Sequence, residues 1–586
     1  MRRIKIPLLI LGFTVISQIN SFGEALRIGE MDLPQTYEPI TAIKPVERRI
    51  SSLVYEGLIR KTYGEDEQGN LTYQYIPALA EDFWPVDEQG NRINDVFSAN
   101  WQFKLKNKIF WVRPDGVKSL FTANDVKYTL DVLKNPQTAP KDELLCAYLK
   151  DRPVGNSNVL IPAIKIINPF LLQIGLHHPA FSPRRFFGFK VVKFQPASPF
   201  WNRDNAMASP YRFNPVGTGP YVMQDRKSRR LTFSKNENYW GWRDNPKQNI
   251  QTVTFNRHDD RKSMLQACLF NYQREDALDI IPELLPDEIA AFEQDPQHYT
   301  ADLNLYNFYF IGFNFGKNGS LAALLNKLKP GRSEASLVNI SLGLREAMLI
   351  GFDRESALRI YGKAPGEVLE GPYRAGCWSY TNQDKKKRRY SSVEARATLA
   401  AIGFEDGKWQ ADKNIVLRFR LCYREGDSYY ERVASKFASS MQNLGIEVIP
   451  IGVPAAMWQE RIYQQRDFDL VLDRYLYRED MDITPFFSPA SGFLSYQNDL
   501  LNEYIAKIKN SQLRKDEIQG LYQAMDRFLW DNLPVIFLWS LNECVGVRSN
   551  LAEATRNVNG AEVTEPIMAF DGYDFFGNIP RWRIRQ

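Results

Sequence analysis

Strand-like and helix-like spacings alternate along this chain from about residue 26 to its end, with no linker-like break and no short repeat, over a length of 586 residues. That is more than one hydrophobic core ordinarily holds, so two to four structural units are expected, interleaved along the sequence. Residues 26–29 read as a strand, and Ile50, Leu53, Val54 and Leu58 give helical spacing over 48–58. The alternation of Trp101, Phe103 and Leu105 predicts a strand, with 109–112 continuing the sheet after a turn. Thr122 and Asp125 have capping-box-like spacing ahead of a helix through Val126, Leu130 and Leu133. Further strands are expected at 231–234 and 252–255, and helices at 337–350, 393–402, 429–444 and 500–529. The fold class that follows is α/β with mixed sheets.

Arg2, Arg3 and Lys5 precede an apolar run over 6–16, with small residues at Gly23 and Ala25. This is the order of a secretory signal, cleaved near Ala25. The run falls well short of the roughly 20 residues that span a bilayer, and no later run is long enough, so an integral membrane protein is not expected. No cysteine near the cleavage point offers a lipid attachment. The 74 lysines and arginines against 69 acids leave only +5, which gives no electrostatic reason to expect nucleic acid as a partner. Small or neutral ligands fit better.

Cys146, Cys268, Cys377, Cys422 and Cys544 are widely separated, with no CxxC pair; one or two disulfides are open to them, with at least one thiol left over. The four histidines, His177, His178, His258 and His298, show no zinc-ligand spacing, and His177 and His178 beside Pro179 read as a solvated turn. No metal or cofactor is expected. The glycine turn at 312–317 has one residue too few for a phosphate loop, and the basic run 385–389 reads as a solvated loop. GxSxG, supported SxxK and zinc-protease motifs are missing, so no enzyme is expected.

Several stretches form an ordered series: PALAE at 77–81 with Phe83 and Trp84, NPVGTGPY at 214–221, whose glycines are expected to permit positive φ, and NENYWG at 236–241. IGFN at 311–314, LREAM at 344–348, FDRE at 352–355, LGIEV at 444–448, DFD at 467–469 and PVIF at 534–537 complete it. The series resembles the extracellular solute-binding proteins of family 5, the dipeptide- and oligopeptide-binding proteins of ABC importers. The resemblance implies a periplasmic binding protein type II-like fold with two lobes and an extra subdomain. After a signal peptide at 1–25, the first lobe would be built from 26–60, 196–305 and 535–586, the extra subdomain from 61–195 and the third part from 306–534. Strand-like crossings near 308–313 and 534–539 would form the hinge. It also implies a periplasmic, monomeric protein that closes on a peptide and delivers it to permease subunits. The alternatives are a non-peptide ligand on the same fold, such as a nickel chelate, haem, an oligosaccharide or an opine-like compound, and a secreted hydrolase.

A bound peptide needs a carboxylate for its ammonium and strand edges for its backbone. In the family that carboxylate lies three residues after an aromatic residue that follows the Phe-Asp strand. Here the spacing gives Tyr477 and Asp480 with a two-residue insertion, or Tyr475 and Arg478 without it. The expected ligand residues are Asp480 and Tyr477, with Tyr475 in the other register, and Asp482 or Glu479 as a substitute acid. Trp378, after the GPY of 371–373, is a further candidate. Trp458, Tyr55 and Glu56 are read as packing, and Arg374 and Arg474 as weak candidates for a ligand carboxylate.

Overall fold

The computed structural model describes residues 25–585, apart from 41, 43, 66–70, 95–97, 134–148, 150, 154–159, 177–188, 192–212, 271–276, 305, 361–365, 376, 382–384, 387, 478–480, 489–491, 511–512, 557–560 and 573. The signal-like segment, Cys146, His177 and His178 lie outside the described residues.

Three larger sheets carry the fold. The first has eight strands in the order Tyr221–Lys227, Arg230–Lys235, Thr252–Arg257, Ala25–Glu30, Ile280–Leu284, Glu543–Arg548, His298–Asn304 and Ala569–Asp571. Ala25–Glu30 runs parallel to both neighbours, and Glu543–Arg548 antiparallel to both of its own, so the sheet is mixed as expected. The second, antiparallel, has the order Ile164–Asn168, Leu171–Gly175, Asn100–Leu105 and Ala80–Val86. The third has the order Glu447–Val453, Arg418–Arg424, Leu470–Tyr477, Tyr306–Phe313 and Val535–Phe537.

The chain passes twice between the first and third sheets. His298–Asn304 gives way to Tyr306–Phe313 across a single residue. On the return, Val535–Phe537 leads through Trp539–Leu541 to Glu543–Arg548. Asn307 joins the two passages: its buried side chain donates to Leu541 O at 2.8 Å and accepts from Leu541 N at 3.0 Å. The two largest of the buried clusters follow the same division, with smaller ones under Arg261–Leu269 and Ile289–Gln294 and around Ile40, Tyr128 and Val132. One core gathers Phe308, Phe437, Leu472, Trp530 and Trp539. The other gathers Leu26, Ile28 and Phe255 of the first sheet together with Trp101, Phe103 and Leu172 of the second. The second sheet is therefore fused to the first by a shared core.

Local departures from the sequence reading have physical causes. Phe110–Val112 does not extend the sheet of Asn100–Leu105; it turns back through Gly116, at φ 82°, to pair with Lys118–Leu120. The first helix is Pro45–Val54 rather than 48–58, started by a proline at its N-terminus and by Glu47, which accepts from Lys44 N at 3.0 Å. The stretch 500–529 forms two helices, Asp499–Asn510 and Lys515–Asn532; the second starts where Glu517 accepts from Arg514 N at 2.7 Å. The capping pair at 122–125 is present, with Asp125 accepting from Thr122 N at 2.8 Å, and the helix runs Ala123–Leu133.

Two readings are overturned. Gly217 and Gly219 do not adopt positive φ; they let the turn press onto the backbone of Val54, where Gly219 N donates to Val54 O at 2.9 Å. The basic run 385–389 is not a solvated loop, because Lys385 and Arg388 are buried. Lys385 pairs with Asp526, and Arg388 donates to Trp530 O at 2.7 Å. Cys268, Cys377, Cys422 and Cys544 are free thiols.

Candidate functional site

The strand Leu470–Tyr477 pairs antiparallel with Tyr306–Phe313, and its period-two geometry sets Tyr475 and Tyr477 on one face. Tyr306 lies directly opposite Tyr477, with the rings stacked at 6.0 Å and 22°. Tyr475 stacks on Tyr477 at 6.4 Å and tilts against Phe308 at 5.5 Å. The result is a tyrosine surface at the first crossing between the sheets. Tyr477 is buried and its hydroxyl donates to Pro372 O at 3.0 Å, while Tyr475 keeps partial exposure. Burial pushes the Tyr477 phenol well above its usual range.

Trp378 is half-buried, with its ring edge-on to Tyr522 at 5.1 Å. Its carbonyl accepts from Gln523 Nε2 at 3.3 Å, so the helix Lys515–Asn532 positions it. Asp482 is buried and serves its own turn: Oδ1 accepts from Thr484 N at 3.0 Å and Thr484 Oγ1 at 2.7 Å, with Tyr522 Oη at 3.5 Å. Arg478, Glu479 and Asp480 lie outside the described residues. The structure thus brings Tyr475 and Tyr477 together, and places Trp378 against the ring of Tyr522 and Asp482 at its hydroxyl.

Facing groups come from the first sheet and its neighbours. Lys61 Nζ lies 3.6 Å from Asp571 Oδ2. Burial raises the phenol of Tyr306, and the charge of Lys61 opposes that rise. Arg374 donates to Asn542 Oδ1 at 2.6 Å and lies 3.3 Å from Glu367, so its guanidinium is already engaged.

Arg474 is engaged more completely. Its two terminal nitrogens reach Glu543 Oε1 at 2.7 Å and Glu283 Oε2 at 3.2 Å. Glu283 Oε1 accepts from Arg49 at 3.0 Å, and Arg49 holds both oxygens of Glu30 at 2.8 Å. Tyr309 closes the far end on Glu543 at 3.3 Å. Burial pushes the Glu283 carboxyl up, but the charges of Arg474 and Arg49 outweigh it and hold the group below its usual range. Sequence reading missed this chain of charges because its members lie far apart and carry no local signature.

The remaining candidates are packing groups. Trp458 is buried beneath Arg424, whose guanidinium carbon lies 4.8 Å from the ring centroid. Glu56 is buried, accepting from Tyr239 Oη and Trp240 Nε1 at 3.1 Å each, and burial raises its carboxyl.

The sequence model for bacterial extracellular solute-binding proteins, family 5 middle, matches residues 74–493. Among solved structures, the chain is similar to AppA from Bacillus subtilis, an oligopeptide-binding protein in complex with a nonapeptide, at 16% identity and a TM-score of 0.72 over 96% of this chain and 99% of that one. It is similar to NikZ from Campylobacter jejuni in complex with Ni(L-His), at 18% identity and a TM-score of 0.70 over 95% and 99%. It is also similar to AgaA from A. tumefaciens R10 in complex with agropinic acid, at 17% identity and a TM-score of 0.66 over 96% and 99%. At such identities the likeness is one of fold. No curated protein sequence matches the chain.

Proposed function

The chain belongs to the bacterial extracellular solute-binding proteins of family 5, and from that premise we propose that it is the exported binding component of an ABC importer, capturing oligopeptides or dipeptides by cleft closure. The observation that carries the reading is that the two largest buried cores lie on either side of two strand passages, with the tyrosines 306, 475 and 477 at the first of them. Two rigid bodies on a strand hinge can close on a ligand while each core stays intact. In this reading residues 26–60, 196–305 and 535–586 form the first lobe and 61–195 the subdomain that moves with it. Residues 306–534 form the other lobe, to which the strand Val535–Phe537 is also bound.

The ligand residues of this reading are Tyr475 and Tyr477 under the peptide, Trp378 at its side, and Asp480 for the ammonium, with Asp482 held by its own turn as the less available acid. Export follows from a signal at 1–25 cleaved near Ala25, placing a monomer in the periplasm to meet the permease. No turnover is expected: a ligand incubated with the protein is recovered unaltered. A non-peptide ligand is the second reading, since chains of this fold hold Ni(L-His) and agropinic acid.

Ligand carried through purification and identified by mass spectrometry should be a mixture of short peptides, and adding it back should raise the melting temperature by mass action. A single chelate or opine would move the assignment to the second reading. By calorimetry, Asp480→Ala and N-terminal acetylation of the peptide should each cost about 2–3 kcal/mol, the cost of leaving one partner of a charged hydrogen bond unpaired. Unchanged affinity in both would remove the ammonium anchor.

A further inference from the structure

The body built on the third sheet holds a cavity of about 460 Å³, a size ordinary for a small-molecule site. Its wall comes from residues 352–355, 367–370 and 388–390, with Tyr373, Ala375 and Tyr380. None of Tyr306, Tyr475, Tyr477 or Trp378 lines it, so it is separate from the tyrosine surface, although the ring of Tyr373 lies edge-on to Tyr477 at 5.9 Å. Phe352, Leu369 and Tyr373 anchor the wall in the core of Phe308 and Trp530, and Gly366–Val368 pairs antiparallel with Trp539–Leu541. The frame is thus set by the core and by a strand pairing, as in a preformed site.

Most of the charge around the cavity is already paired. Glu355 faces Arg359 at 3.4 Å, Glu367 faces Arg374 at 3.3 Å, and Arg388 lies 3.5 Å from Glu346. Asp353 accepts from Ser356 N at 3.0 Å. Three groups are left. Among the described residues the carboxylate of Glu370 has no hydrogen bond or ion pair; only its carbonyl is engaged, by Lys385 Nζ at 2.7 Å. The exposed Arg389 has no ion pair among them either. Arg354 is only 7% exposed, yet no carboxylate among the described residues is bound to it. Its Nη1 donates to Leu369 O at 2.6 Å and Phe537 O at 2.8 Å, and its Nη2 to Arg388 O at 3.3 Å. A guanidinium has five N–H groups, so Nε–H and one at Nη2 remain. Burial pulls this guanidinium down to about 10, and the charges of Glu370 and Glu355 oppose the fall. Glu370 therefore acts on Arg354 without being bonded to it, which leaves room for a small molecule between them.

We propose that this cavity is a second ligand site, which takes a free α-amino acid with its carboxylate at Arg354 and its ammonium at Glu370. The opposite signs of the uncommitted groups select the class. A simple anion would be repelled by Glu370, and a simple cation by Arg354 and Arg389. A zwitterion with both charges on one carbon answers both, through two charge-assisted hydrogen bonds. The carboxylate also gives the buried Arg354 the counter-charge that the protein does not provide, which offsets part of the cost of keeping that group out of water. The inference does not depend on what the tyrosine surface binds.

The test is calorimetry on the full mature chain after exhaustive dialysis, titrated with each of the natural L-amino acids in turn. At least one should bind with a Kd below about 1 mM. For the tightest of them, Glu370→Gln should weaken binding by about 10- to 100-fold, the range for one charge-assisted hydrogen bond. Circular dichroism establishes that this variant is folded, as expected for a carboxylate that holds no other group. N-acetylation of the amino acid should weaken binding by the same factor in the natural protein and no further in Glu370→Gln, because both remove one contact. Arg354 also holds Leu369 and Phe537, so its substitution would disturb the wall itself; the methyl ester of the amino acid tests that contact instead and should weaken binding in both proteins. Tyr475→Ala should leave the affinity for the amino acid unchanged. Failure of every amino acid to bind below about 1 mM overturns the site. So does binding that Tyr475→Ala abolishes, or binding that neither Glu370→Gln nor N-acetylation weakens, since the amino acid then lies elsewhere.

Discussion

Asp526→Ala should destabilise the chain by about 4 kcal/mol, among the largest losses available to a single side chain outside the apolar cores. Asp526 sits on the helix Lys515–Asn532 with no exposed side-chain surface, and its Oδ2 lies 2.7 Å from Lys385 Nζ, itself only 2% exposed. The same oxygen accepts from Thr381 N at 2.9 Å. Alanine would leave the ammonium of Lys385 with the Glu370 carbonyl at 2.7 Å and the face of Tyr380 at 4.3 Å, which are too little for a charge out of water. It would also remove the carboxylate bond at Thr381 N. Replacing both partners, as in Asp526→Asn with Lys385→Met, removes the stranded charge and should recover roughly half of the loss. Urea unfolding read by hydrogen exchange in the helix gives the comparison. A loss below about 1 kcal/mol for Asp526→Ala would show that the pair does not hold this region.

The same carboxyl gives a pH signature. Burial pushes Asp526 up to about 6, with Lys385 opposing the rise. A carboxyl raised on folding contributes stability that is fully present below its unfolded value, near 3.8, and is lost as pH rises through about 6. Stability of the natural protein should therefore fall across that window relative to Asp526→Asn, in which the titrating group is gone. The sign is opposite to that of Glu283, whose lowered carboxyl contributes stability above its unfolded value and loses it as pH falls.

Asp526 also shows where sequence reading stops. The run of cations at 385–389 looks like a solvated loop in any window of the chain, because what buries Lys385 is an acid 141 positions later. The relay through Glu30, Arg49, Glu283, Arg474 and Glu543 is hidden for the same reason: its unit is a meeting of strands distant in sequence. What was legible had a period or an order. Alternation placed Trp101, Phe103 and Leu105 in a strand, helical spacing at 429–444 and 337–350 fell on the helices Ser428–Gln442 and Glu334–Ile350, and the order of the landmark stretches identified the fold. Element ends were lost where tertiary contact sets them. The first helix stops at Val54 because the glycine turn of 214–220 occupies its C-terminal end, which no feature of residues 48–58 announces. Tyr475 and Tyr477 fell on one face by strand geometry alone, whereas Arg374 is engaged by Asn542, distant in sequence, and Asp482 by Thr484 through a rotamer that spacing does not specify.

That glycine turn supports the second large effect, for Gly217→Ala, because there the two consequences of adding a methyl group have opposite signs. Gly217 lies outside the positive-φ region, so alanine can adopt its backbone conformation. The lowered entropy of the unfolded chain would then stabilise the protein by about 0.4–1 kcal/mol if space allowed. Space does not allow it: a Cβ at this position would land on the carbonyl oxygen of Val54. The obstacle is backbone, so no rotamer change relieves it. Nor can the turn withdraw, since Gly217 O accepts from Val112 N at 3.0 Å and Gly219 N donates to Val54 O at 2.9 Å. Asn236 Nδ2 holds Gly219 O at 2.8 Å from the third side. Separating these groups breaks hydrogen bonds in the core shared by the first and second sheets, and the expected loss is more than about 3 kcal/mol, beyond ordinary overpacking. Gly520→Ala is the matched control. It lies inside the helix Lys515–Asn532, with nothing within 4 Å of an added Cβ, and should gain about 0.5–1 kcal/mol from helix propensity. Urea midpoints that move in opposite directions for the two substitutions would establish close approach as the reason for glycine at 217. A Gly217→Ala midpoint that rises with that of Gly520→Ala would show that the turn has room to spare, and the account of where the first helix ends would fail with it.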